Sequence, residues 1–291
     1  MSLRRSRLTH GIFLFVFIAL AIWLRWRYMA NVGLHVDEFS TLWGSRQVMD
    51  SGLPLMPSGV LYTRGLFSTY TIAAVGKLFG LTYMVGRMPS LVFGVLAVIT
   101  IFLLGRSSWN ARVGLLAAAW LALQPEAIEA SARARFNAPL SLWSLLAVGI
   151  LFLTVRHPLK SEEDHALRYG NHILFGLFFA ASLFSQEATF LFYPSLLLCI
   201  IWWRGLRYLL KLPVLLGQGI AVAAIGLRLA IEQIGQPGQL ESIQSGSPYL
   251  ALSLDIPTAW QAFDQLFVSP IRLPWTLAAI IAMAVALIGV K

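Results

Sequence analysis

Apolar runs long enough to cross a bilayer recur from one end of this chain to the other, separated only by short clusters of Arg, Lys, Pro and Gly. In hydrocarbon every backbone N–H and C=O must be bonded within the protein, so such a chain folds as spanning helices or as a closed barrel. A barrel needs segments of about ten residues with alternating polarity. The runs here are longer and apolar on all sides, so the chain is expected to be an all-α integral membrane protein, a polytopic helical bundle. Its composition agrees: 58% of residues are hydrophobic and 12% charged, about half the charged share of a soluble domain.

Eight spans are expected, near 11–28, 88–105, 111–128, 138–155, 170–185, 188–203, 212–230 and 272–290. The first follows Arg4, Arg5 and Arg7 as a signal peptide would, but Arg25 and Arg27 stand where a small-residue cleavage site belongs, so it reads as an uncleaved span. The stretch 67–84 is apolar enough to tempt a ninth assignment. Lys77 at its middle and Gly76 and Gly80 beside it favour an amphipathic helix lying in the interface instead.

Charge tests this parity. With the N-terminus cytoplasmic, the inside segments are 1–10, 106–112, 156–169 and 204–211. They hold eleven of the 22 Lys and Arg in roughly forty residues, which is the bias that orients membrane proteins. The net charge of +9 is thus spent on helix ends and anionic lipid, and no nucleic-acid partner is expected. Two large loops fall outside, at 29–87 and 231–271. A ninth span at 67–84 would put Asp37 and the 129–137 loop on opposite faces. The lone Cys199 lies in an apolar run and forms no intrachain disulfide. One module spans 1–291, and its stop at Lys291, directly after an apolar run, is expected of a truncated chain.

Four polar clusters stand out. His35-Val36-Asp37-Glu38 follows the first span; paired carboxylates at a membrane surface repel each other and need a cation, a substrate hydroxyl or water, unless they merely cap a helix. Tyr62-Thr63-Arg64-Gly65 opens the interfacial helix, with Arg64 placed for a lipid phosphate or for simple snorkelling. Ser131-Ala132-Arg133-Ala134-Arg135-Phe136-Asn137 carries two Arg against the charge bias, a candidate phosphate clamp. Glu129 and Arg133 would pair on a continuous helix, whereas the two Arg share a face only if the backbone is broken, as Pro139 favours. Ser185-Gln186-Glu187 sets a carboxylate close to hydrocarbon, which needs a partner, either a substrate hydroxyl or a loop arginine. Arg228 and Glu232 read as a local i, i+4 pair. No zinc spacing, phosphate-cradling loop, dinucleotide fingerprint or Ser/His/Asp signature is present, and of five His only His35 lies beside another candidate residue.

The order of these features resembles the GT-C membrane glycosyltransferases of the protein-O-mannosyltransferase and lipid A aminoarabinose-transferase type. The matching features are a basic N-terminus and first span, Asp37-Glu38 in the first outside loop, and Arg64 opening an amphipathic helix. Leu104-Gly105-Arg106 and Gln124-Pro125 then end successive spans, before the Arg-bearing loop that closes at Asn137. The likeness is weakest over 231–291. It implies a GT-C-like bundle in the cell (plasma or inner) membrane, with its active site on the outer face. It also implies inverting transfer of a monosaccharide from a polyprenyl-phosphate donor to a glycan, lipid or protein hydroxyl.

Carried over, Asp37 is the general base and Glu38 its neighbour in the site. Arg64 stands where the family has a basic residue facing the lipid phosphate, and Asn137 where some members have a second Asp, so Arg133 and Arg135 are alternatives for the phosphate. Glu187 falls where relatives often have Lys. Phosphate leaves readily, so no metal or cofactor is required, while a divalent ion near His35, Asp37 and Glu38 stays open and the metal question is undecided. A transporter would instead place polar residues at the bilayer midplane, and a non-catalytic subunit would transfer no sugar.

Overall fold

The computed structural model describes residues 2–156 and 163–235. These form ten α-helices: α1 (Ser2–Asn31), α2 (Val36–Ser51), α3 (Leu66–Phe79), α4 (Tyr83–Ser108), α5 (Ala111–Leu123), α6 (Pro125–Ala132), α7 (Asn137–Arg156), α8 (Glu163–Ser185), α9 (Tyr193–Arg204) and α10 (Leu212–Gly235). Short 3-10 turns occupy Glu187–Phe192 and Leu206–Leu210. Among the described residues the only extended pairing is an isolated bridge between Leu55 and Leu61.

Among the described residues four helices are long and apolar enough to cross a membrane: Leu8–Asn31, Tyr83–Ser108, Asn137–Arg156 and Leu212–Glu232. They coincide with the spans expected at 11–28, 88–105, 138–155 and 212–230. The span expected at 170–185 lies within α8. Two others change shape. The run 111–128 is broken at Gln124, because Pro125 has no N–H to give the Leu121 carbonyl and instead starts a separate helix. The run 188–203 opens as a 3-10 turn before α9 begins. The span at 272–290 and most of the 231–271 loop lie outside the described residues.

The stretch 67–84 is not one helix. α3 has 14 residues, about 21 Å of helix, against a hydrocarbon core of about 30 Å. It stops at Gly80, whose φ of +79° ends the helical path, and Thr82 caps the start of α4.

α4 is the hub, packed along α5 and α7, with α1, α3 and α6 also against it, while α7, α8 and α10 stack in turn. The break after α5 is held by Arg25, which is buried on α1. Its guanidinium donates to the Leu121 carbonyl at 3.1 Å, the Ala122 carbonyl at 3.2 Å and Ser131 Oγ at 2.7 Å. It thereby supplies the donor that Pro125 cannot. A side chain at Gly94 would meet this same junction, its Cβ falling 2.2 Å from Ser131 Cβ. The α5–α6 break therefore sits at a fixed place, and the loop it releases runs into the site.

Candidate active site

The first polar cluster divides on folding. His35 is the N-cap of α2: its Nδ1 accepts the Asp37 backbone N–H at 3.2 Å, and its own N–H donates to Glu38 Oε2 at 3.0 Å, a capping box. The same Nδ1 lies 3.6 Å from the Asp37 carboxylate. His35, expected to bind substrate, is a helix cap.

Glu38, expected beside the base, is fully buried. Arg87 grips it with two bonds of 2.8 Å, Nε to Oε1 and Nη2 to Oε2. The Ala134 N–H donates at 2.8 Å, and Arg133 Nη1 lies 3.4 Å away. Arg87 spends its other donors on the carbonyls of Met29, Val32 and Gly33 at the end of α1, so all five of its N–H groups are used. Burial by itself pushes the Glu38 carboxyl up. The hydrogen bonds from Arg87, Ala134 and His35 outweigh it and hold the group below its ordinary 4.5. Glu38 has no lone pair left for a substrate or metal. It is the tie that joins α1, α2, α4 and the Arg133–Phe136 loop, and it does not line the cavity described next.

Asp37 turns the other way. Its side chain is 40% exposed and meets Arg135, with Nη2 2.7 Å from Oδ2. It lines a cavity of about 60 Å³ together with Ser40, Thr41, Tyr62, Arg64, Arg135 and Phe136. Ser40 and Thr41 follow Asp37 at i+3 and i+4, so one face of α2 supplies three of the polar groups. The Thr41 hydroxyl donates to the Asp37 carbonyl at 3.1 Å, so the 3.3 Å contact with Tyr62 is one that Tyr62 donates. Burial pushes the Tyr62 phenol up, and it stays a neutral donor.

The two arginines of the cavity share one platform. The Arg64 and Arg135 guanidinium carbons lie 6.0 and 5.5 Å from the Phe136 ring centroid. Phe136 in turn rests on Gly65, which has φ +65°. A Cβ at Gly65 would stand 3.0 Å from Phe136 Cβ. Gly65→Ala is therefore expected to be strained in backbone and contact alike, costing on the order of 1–3 kcal/mol and spreading the arginine pair. A Tm in detergent equal to that of the unsubstituted chain would show that the platform tolerates the change.

The remaining expected residues lie around the cavity rather than in it. Arg133, in extended backbone just after α6, bonds Glu129 at 2.9 Å and Tyr28 Oη at 3.4 Å besides Glu38. It serves the Glu38 tie and does not line the cavity. Asn137 begins α7 and its carbonyl accepts from Ser141; its side chain is not part of the lining. Glu187 approaches Arg64 at 3.9 Å and Arg228 at 3.4 Å, so its partners are arginines. Arg228 is buried, reaches the Thr63 carbonyl at 3.0 Å and pairs with Glu232 at 2.9 Å. The main omission of the sequence reading is Arg87. Its only sequence signal was a cation at the start of a span. Among the described residues no three His, Cys, Asp or Glu side chains group as a metal set, and the trio His35, Asp37 and Glu38 is already taken up as above.

The fold is that of the GT-C membrane glycosyltransferases. The oligosaccharyltransferase AglB of Archaeoglobus fulgidus, solved with an inhibitory peptide and a dolichol-phosphate, superposes with a TM-score of 0.58 at 15% identity, over 97% of this chain and 37% of that one. An Archaeoglobus fulgidus oligosaccharyltransferase in complex with Zn and sulfate gives 0.56 at 15% identity, over 96% of this chain and 40% of that one. The chain thus spans well under half the length of these structures. No curated protein matches it. The chain belongs to the dolichyl-phosphate-mannose-protein mannosyltransferase family, whose model matches residues 63–229, more than half of its length.

Proposed function

We propose that this chain is the membrane module of a glycosyltransferase that moves one sugar from a polyprenyl-phosphate donor to an acceptor hydroxyl, on the outer face of the membrane and with inversion. One observation carries this reading: a single small cavity in which one carboxylate, Asp37, faces two guanidinium groups, Arg64 and Arg135, held on one aromatic ring. Asp37 takes the proton of the attacking hydroxyl, as a general base within hydrogen-bond reach does. The oxygen attacks the anomeric carbon, and the lipid phosphate departs with its growing charge held by arginines already in place. Ser40, Thr41 and Tyr62 are the hydroxyls available to orient the sugar. Since phosphate leaves well, the step requires no metal.

The test supplies membranes containing the chain with a labelled polyprenyl-phosphate sugar and a panel of acceptors, and reads the anomeric configuration of the product by NMR. Inverted product is expected. Retained configuration, or no chain-dependent transfer with any acceptor, removes the reading.

Orientation has its own expectation. In a Cys199→Ser background, Ser58→Cys in the first large loop reacts with an impermeant maleimide on intact cells, and Ser107→Cys at the end of α4 reacts only after lysis. The reverse pattern would put the cavity on the cytoplasmic face.

A further inference from the structure

Arg135 holds Asp37 at 2.7 Å, so an acceptor hydroxyl must compete with the guanidinium for that carboxylate. At the same time Arg135 keeps a donor in reserve, since its Nε is buried without a hydrogen-bond partner. Its backbone is anchored by Ser90 Oγ donating to its carbonyl at 3.2 Å. Its side chain lies across the Phe136 face, where a guanidinium can shift sideways and keep its ring contact. Arg64, on the same ring, has only a loose 3.9 Å approach to Glu187 and is half exposed, so it meets an incoming anion without first giving up a strong bond. The two arginines of the cavity therefore differ. One is loosely held and the other is committed to the base.

We propose that Arg135 is exchanged between two anions, bound to Asp37 while the cavity is empty and transferred to the phosphate when the donor enters, so that donor binding frees the base. This rests on the reading of the cavity as a donor site. The phosphate competes with Asp37 for Arg135, and the acceptor finds a competent base only after the donor is seated. The base stays engaged until the donor is seated, and the order of binding is donor first.

Competition for one cation is measurable without knowing sugar or acceptor. The probe is farnesyl phosphate, titrated against the full chain in nanodiscs. Asp37→Asn leaves Arg135 only a neutral amide oxygen to hold in place of a carboxylate and is expected to tighten Kd by about three- to fivefold, the worth of a part-exposed ion pair. In an Arg135→Gln background the same Asp37→Asn change gives no gain; in an Arg64→Gln background the gain persists although binding is weaker. Arg135→Met provides a second variant of similar length should Arg135→Gln not be recovered folded. A gain that survives loss of Arg135 would reduce the effect to simple repulsion between Asp37 and the probe, and no gain in any background would equally overturn the exchange. If the unsubstituted chain does not bind farnesyl phosphate, the donor site itself is wrong and the exchange falls with it. Binding without the predicted coupling removes the exchange alone.

Discussion

Asp37→Asn is expected to lower sugar transfer by about 10²–10⁴-fold, the usual contribution of a positioned base, while the protein still inserts and melts as before. The asymmetry follows from where the side chain sits. Asp37 is half exposed and its strong contact is with Arg135, itself at the cavity wall. The amide keeps the size of the carboxylate and can still accept from Arg135, so little folding energy is at stake. What it lacks is basicity. The measurement is initial transfer rate from labelled polyprenyl-phosphate sugar, beside a Tm in the same detergent. Transfer within a factor of a few of the unsubstituted chain would remove Asp37 as the base. A collapsed Tm would mean that the residue is structural.

The neighbouring residue gives the opposite result. Glu38→Ala is expected to cost about 3–5 kcal/mol of stability, because it leaves Arg87 buried without its counter-charge. It also frees the Ala134 N–H and loosens the loop that carries Arg135. Pairing it with Arg87→Met removes the stranded charge and recovers part of the loss, though not all, since the Met29, Val32 and Gly33 carbonyls then lose their donor. A Tm for Glu38→Ala within a degree or two of the unsubstituted chain would refute this account. The tie is also acid-sensitive in a definite direction. Its carboxyl is held below the ordinary 4.5, so the stabilisation is complete above that value and is lost as pH falls through the lowered one. Acid unfolding that begins well above pH 4.5 has another origin.

These two adjacent residues show why sequence patterning leads to the right place and then stops. An Asp-Glu pair after a span marks a charged turn that must be neutralised, and both residues look equally able to act. On a helix, neighbours point about 100° apart, so one carboxylate faces the cavity and the other the packed junction with α4. Which is which depends on the entry angle of α2, set by the His35 capping box and by Arg87 from a distant helix. The same holds for Arg133 and Arg135. Both look alike in the sequence, but the chain leaves α6 in extended backbone and sends one to Glu38 and the other to Asp37.

What the sequence by itself determined about this protein is the material and the general plan: an all-helical membrane bundle, with a short helix in the 67–84 stretch and a charged cluster near Asp37. Hydrocarbon leaves the backbone so few alternatives that apolar length and basic flanks decide these points. Tertiary structure alone decided how the run 188–203 opens, how the Pro125 break is held, and that Arg25 and Arg87 are internal ties for freed carbonyls and a buried acid. It also decided that Asp37, Arg64 and Arg135 meet around Phe136. These depend on contacts between residues as far apart in the chain as Arg25 and Ser131, and nothing in the local pattern of either residue encodes its partner.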